Sequence, residues 1–255
     1  MLSRLLLLCC LGALTGCASG PNPRDPYEGY NRKMYAFNDA LDKAVLKPVA
    51  KGYEWALPAL VRTGVTNFFN NLAVVRTALN QAAQGKIPAA IEDSGRFATN
   101  LFFGLGGVID VASDLNFPRR TEDFGQTLGY WGVGSGPYIV LPILGASNAR
   151  DGAALPVDIY TSPSFLITDD NPAATWGLIA LTLVNQRANL LPADKFLAES
   201  GMDPYSFIRD AYVQNREYQI HDGNPPQNPG SDRPKSLLEL EEEDFGDEPA
   251  EPEKP

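Results

Sequence analysis

GYWGVGSGPYIVLPILG, from Gly129 to Gly145, carries five glycines, two prolines and nine aromatic or aliphatic residues without one charge. Gly132, Gly134 and Gly136 permit backbone reversals that residues with side chains resist. Tyr130, Trp131, Tyr138 and the run Ile139, Val140, Leu141 need an apolar place to go. Gly134, Gly136 and Pro137 standing so close together rule out a packed helix there. The stretch is expected to be a hinged, backbone-reversing hairpin that lines an apolar environment.

On either side of it the chain reads as helix. Periodic apolar residues mark one helix from Asp25-Pro26 through Tyr30, Met34, Phe37 and Leu41 to Val45, and a second after Pro48 up to Pro58. Leu60 to Ala83 reads as a long or broken helix closed by Gly85, and Ile87 to Phe103 as another helix. Beyond the hairpin, helices are expected over Arg150 to Tyr160, from Pro172 through Leu190, and over Pro204 to Ile220. Strict period-2 alternation is nowhere sustained, so strands are incidental. The fold class is mainly α, and no fixed-period repeat points to a solenoid.

The N-terminus reads as a targeting signal. Met1 to Arg4 is basic, Leu5 to Leu14 is apolar, and Gly16-Cys17 follows. A ten-residue apolar run suits a secretion signal, whereas a spanning helix needs about 20 residues. Small residues before a cysteine resemble a bacterial lipoprotein cleavage site, which makes Cys17 the acylated first mature residue. Cys9 and Cys10 leave with the signal, and one remaining cysteine allows neither an intramolecular disulfide nor a thiolate metal site. The expected organisation is a signal over 1–16, a linker over 17–24, a helical domain over 25–221 and a disordered acidic tail over 222–255.

That tail holds eleven acidic and three basic residues, so it accounts for eight of the ten net negative charges of the 255-residue chain. The remainder is nearly neutral and has no basic patch, which argues against nucleic-acid binding. Ala173 to Val184 is twelve residues without a charge. As a helix that is about 18 Å, against a hydrocarbon core of about 30 Å, so it reaches little beyond one leaflet. Near-neutral charge, short apolar helices and an acyl anchor together favour a domain seated in one leaflet over a soluble periplasmic one. Trp131, Tyr138 and Trp176 suit its interface.

No catalytic constellation emerges, and neither a metal nor a cofactor is expected. Ser135 stands directly between Gly134 and Gly136, unlike the Gly-x-Ser-x-Gly nucleophile elbow, and the single histidine, His221, ends the last helix. The acidic pairs Glu92-Asp93, Glu122-Asp123 and Asp169-Asp170 read as helix caps or solvated residues. Arg150-Asp151 reads as a polar channel pair or, equally, a structural ion pair.

The strings DPYEGYNRKMYAFND (25–39), VRTGVTNFFNNL (61–72) and EDFGQTLGYWGVGSGPYIVLPILG (122–145), with Asp203-Pro204-Tyr205, resemble the MlaA (VacJ) family of outer-membrane lipoproteins. The resemblance implies a ring-like helical domain in the inner leaflet of the outer membrane. It further implies an amphipathic channel that passes mislocalised outer-leaflet phospholipids to a periplasmic lipid-binding carrier, in association with a trimeric porin and without nucleotide hydrolysis. By the same resemblance Gly134, Gly136, Pro137 and Tyr138 belong to the channel hairpin, with the two glycines as its hinge. Asn67, Phe68 and Phe69 fall on a helix near the channel. Alternatives are a lipoprotein that braces a porin and, further off, a phospholipid hydrolase using Ser135.

Overall fold

The computed structural model describes residues 25–162, 168, 171–199 and 201–225. Cys17, the signal, the linker, Asp169-Asp170 and the acidic tail beyond 225 lie outside the described residues. In chain order the elements are α1 (Glu28–Leu41), a five-residue π turn (Asp42–Leu46), α2 (Lys47–Ala56), α3 (Ala59–Ala83), α4 (Ile87–Phe103), α5 (Val111–Asp114) and α6 (Phe124–Tyr130). There follow β1 (Tyr138–Leu141), β2 (Gly145–Asn148), α7 (Ala149–Tyr160), α8 (Pro172–Asn189), α9 (Leu191–Glu199) and α10 (Pro204–Ile220). The mainly α expectation holds, with helix ends where the prolines and Gly85 predict them. Two helices, α6 and α9, have no counterpart in the sequence reading.

Contacts between elements run in a closed circuit. From α1 it passes to β1, across the hairpin to α10, then to α6, α3, α8 and α2, and through the π turn back to α1. α4 lies along α3, and α7 packs on α6 and the hairpin. No described helix is long and apolar enough to cross a membrane.

Burial within this circuit is inverted. Among the described residues ten apolar side chains are buried, against twenty-one polar or charged ones. Globular interiors show the opposite preference, with Asn, Gln, Asp and Arg mostly outside. α4 illustrates the arrangement. It buries Asp93, Arg96 and Asn100, which share one face, and exposes Ile87, Ile91, Phe102 and Phe103. Trp55, Leu60 and Trp176 are also exposed, at 89%, 84% and 69%. Each large apolar side chain left in water forgoes roughly 1.5–3 kcal/mol.

The small apolar core is Tyr138, Val140 and Tyr205, with Met34, Tyr35, Tyr212 and Val213 packed on it. Its rings meet edge to face, Tyr35 and Tyr138 lying 5.9 and 6.4 Å from Tyr205. Tyr138 therefore departs from the sequence reading. It is 2% exposed and sits inside this cluster, because β1 alternates its side chains and directs residues 138 and 140 inward. Trp131 and Trp176 remain on the surface.

Candidate functional site

Gly129 and Tyr130 turn out to be the end of α6, so the reversing element begins at Trp131. A loop over 131–137 leads into β1, which pairs antiparallel with β2 from Tyr138–Asn148 to Leu141–Gly145. α1 holds this hairpin from one side. Asn31 donates to the Tyr138 carbonyl at 3.0 Å and accepts from the Val140 amide at 2.8 Å. Asn38, two turns further along, repeats the pattern on the Leu141 carbonyl (2.9 Å) and the Ile143 amide (2.7 Å). Two asparagine amides thus pair with β1 and the turn as a neighbouring strand would, and Ile143 is fixed at a φ of 68°.

The other side of the loop is held by α7. The carbonyls of Val133, Ser135 and Pro137, at alternate positions, accept from Arg150 Nη1 (3.2 Å), the Arg150 amide (3.1 Å) and the Ala149 amide (3.1 Å). The two glycines expected to form the hinge differ. Gly136 has a φ of +67°, and a Cβ there would lie 2.9 Å from that of Ala149. Gly134 adopts no left-handed φ and has open space around it. Only Gly136 is required by the local geometry.

Beneath the loop lies a charged cluster built from four elements. Arg216 on α10 forks onto Asp123 with two 2.6 Å bonds and donates from Nε to Asp151 at 2.6 Å. Tyr212 and Asn148 also donate to Asp151, at 2.6 and 2.7 Å, and Arg150 Nε does so at 2.9 Å. Burial pushes the Asp123 and Asp151 carboxyls up, but bonds and charge from Arg216 outweigh it and hold both below their ordinary value. Asp123 also caps α6 through the Gln126 amide at 2.8 Å. Gly125 and Gly129 make room. A Cβ on Gly125 would lie 2.4 Å from Asp151 Oδ1, and one on Gly129 2.7 Å from Arg150 Nη1.

Across α6 the interior is polar without being charge-balanced in the same way. Gln81 of α3 and Gln84, which caps its end, donate to Glu122 at 3.2 and 2.8 Å, Thr127 donates to Asn80 at 2.7 Å, and the Glu122 amide reaches Thr77. Burial pushes the Glu122 carboxyl above its ordinary pKa, since its bonds come from neutral amides. Glu122 is 4% exposed, so it is neither cap nor solvated residue as the sequence suggested. Its neighbour Asp123 is the cap.

The second group of expected site residues has other neighbours. Asn67 donates to the Val108 carbonyl at 3.1 Å, and Phe68 and Phe69 stack edge to face at 5.4 Å. A Cβ on Gly64 would lie 2.8 Å from Val108 and one on Gly107 2.7 Å from Asn71 Nδ2, so α3 and the 104–110 loop touch closely. Asn67 acts there as a loop tie. Arg150-Asp151 does form the ion pair foreseen as one option. Arg216, Asn31, Asn38, Gln81 and Gln84 were not singled out by sequence reasoning; the spacing of Asn31 and Asn38 by seven was the available signal. His221 Nδ1 lies 2.9 Å from the Glu217 carbonyl of its own helix. Among the described residues no group of His, Cys, Asp or Glu is placed to hold a metal ion.

An apolar exterior, a polar interior and a glycine loop latched between them define a helical protein built to sit at a lipid surface. Residues 23–219 match the MlaA lipoprotein family, and the chain belongs to it. It is 37% identical over 234 residues to the intermembrane phospholipid transport system lipoprotein MlaA of Shigella flexneri, covering 86% of this chain and 89% of that one. The protein of the same name from Escherichia coli K12 is 36% identical over 229 residues, with the same coverage. A solved structure described as the structural basis for maintenance of bacterial outer membrane lipid asymmetry superposes with a TM-score of 0.66 at 34% identity. That match covers 77% of this chain and 98% of the other.

Proposed function

We propose that this chain is an acyl-anchored outer-membrane lipoprotein that removes mislocalised phospholipids from the outer leaflet and hands them to a periplasmic lipid-binding carrier. Its apolar exterior seats the ring in the periplasmic leaflet, and its polar interior offers headgroups a path that the surrounding tails cannot enter. The loop over 131–137, with Gly134 and Gly136, serves as the movable wall of that path. Pro137 and the buried Tyr138 anchor the wall to the hairpin. Asn67, Phe68 and Phe69 set the position of the neighbouring 104–110 loop, and a trimeric porin covers part of the outer face. No catalysis is assigned to the chain. The inverted burial of polar and apolar side chains carries this reading, because neither a soluble carrier nor a hydrolase needs its greasy residues outside.

The test is complementation of a deletion strain. With the wild-type chain, phospholipid open to an externally added phospholipase should fall to background. Gly136→Val, which combines an unfavourable φ with a clash at Ala149, should leave it elevated at normal protein level. Normal clearing by that variant would remove the loop from the mechanism. Loss of surface phospholipid control without any effect of loop variants would favour a bracing role on the porin.

A further inference from the structure

The latch between loop and α7 is made of groups that suit an anion better than they suit carbonyls. α7 is twelve residues long, and its first turn presents the amides of Ala149 and Arg150, the positive end of a helix. Both amides are occupied by loop carbonyls, Pro137 and Ser135. The Arg150 guanidinium closes the same latch through Nη1 on Val133. Its side chain is 3% exposed and its Nη2 is buried with no hydrogen-bond partner. An orphaned guanidinium donor in the interior is costly, because the group is charged and has given up its water. Gly129 leaves the space that this guanidinium occupies.

We infer that the Ala149 and Arg150 amides and the Arg150 guanidinium form a latent site for the phosphodiester of a phospholipid headgroup, covered in this structure by the carbonyls of residues 133, 135 and 137. Phosphate oxygens are stronger acceptors than peptide carbonyls, accept several charge-assisted bonds at once, and have a use for Nη2 that the loop lacks. The headgroup displaces the loop by taking its donors, so loop opening depends on the arrival of cargo. The Asp151 carboxylate, bonded to Arg150 Nε, limits the site to a single negative charge. This inference rests on the transport reading and names what the moving loop uncovers.

The experiment uses the full-length protein in detergent with Trp55 and Trp176 changed to Phe, so that Trp131 alone reports the loop. Dihexanoylphosphatidylglycerol, kept below its micelle concentration, should shift Trp131 emission saturably. Dihexanoylglycerol, with the same chains and no phosphate, should not. Arg150→Lys, which keeps the charge and loses the fork, should raise half-saturation roughly tenfold. An equal response to dihexanoylglycerol, no saturable response to the phospholipid, or unchanged half-saturation in Arg150→Lys would overturn the site. Inorganic phosphate that saturates as readily as the lipid would overturn its assignment to a headgroup. Where Arg150→Lys fails to fold, the pair of lipids on the otherwise unaltered chain decides alone. These readouts report binding, and surface clearing by Gly136→Val judges transport, so either can fail without the other.

Discussion

α6 has two sides, and they are held by different chemistry. Toward α10 and α7 it meets a guanidinium forked between two carboxylates, with both acids held below their ordinary range. Toward α3 it meets glutamine amides around a lone carboxylate, Glu122, whose proton affinity burial has raised. The first side is closed by opposite charges that lose much if separated. The second is a polar seam without a guanidinium, closed by many single hydrogen bonds of about 1 kcal/mol each.

The largest expected effect comes from breaking the charged side. Arg216→Met leaves Asp123 and Asp151 buried without their main partner and should cost about 3–5 kcal/mol, read from denaturant midpoints in detergent. Next is Asn31→Leu, which strips β1 of two buried backbone bonds and frees the Asp25 partner. A loss of roughly 2–4 kcal/mol is expected, with weakened exchange protection at Val140. Gly134 and Gly136 give a sharper contrast. Gly136→Ala should cost about 1–2 kcal/mol for its left-handed backbone, more if Ala149 does not yield, whereas Gly134→Ala should stay within about 0.5 kcal/mol of wild type.

The smallest effects are in the pH response, where the two arginine-bound aspartates and Glu122 have opposite signs. Asp123 and Asp151 are depressed, so their stabilisation is present above the ordinary aspartate value of 3.8 and is lost as pH falls through their folded values. Glu122 is raised, so its contribution is complete below 4.5 and declines as pH rises through its folded value. Glu122→Gln should flatten the stability profile above pH 4.5 and leave the acid limb in place, as measured by thermal melts across pH. A profile unchanged above 4.5 would show that Glu122 is not the buried acid described.

Helix positions were legible because prolines at 48, 172 and 204 and Gly85 punctuate the chain. α6 was not, since the hairpin was read as starting at Gly129, inside what is the helix. Gly125 and Gly129 are glycines because the side chains of Asp151, Arg216 and Arg150 fill the space where a Cβ would stand, a demand set by residues distant in sequence. Periodicity also found the apolar faces of α3 and α4, but a period identifies a face without saying which way it points. The leaflet argument had to come from the acyl signal and the short apolar runs. Tyr138 was placed at the lipid interface because composition alone hides the alternation of a four-residue strand. For the residues at the loop, glycine content pointed to motion, while the latch on Arg150 needed tertiary contacts fifteen and seventeen positions away.

Hiding amides and guanidinium instead of methyl groups also fixes the thermal character of the molecule. The heat-capacity increment of unfolding follows the apolar area newly hydrated and is offset by polar exposure, about 12–15 cal/mol/K per residue in ordinary globular domains. A chain whose interior is largely polar should fall well below that range. Its stability then varies gently with temperature, a broad plateau in place of a steep dome, and growth in the cold would weaken it little.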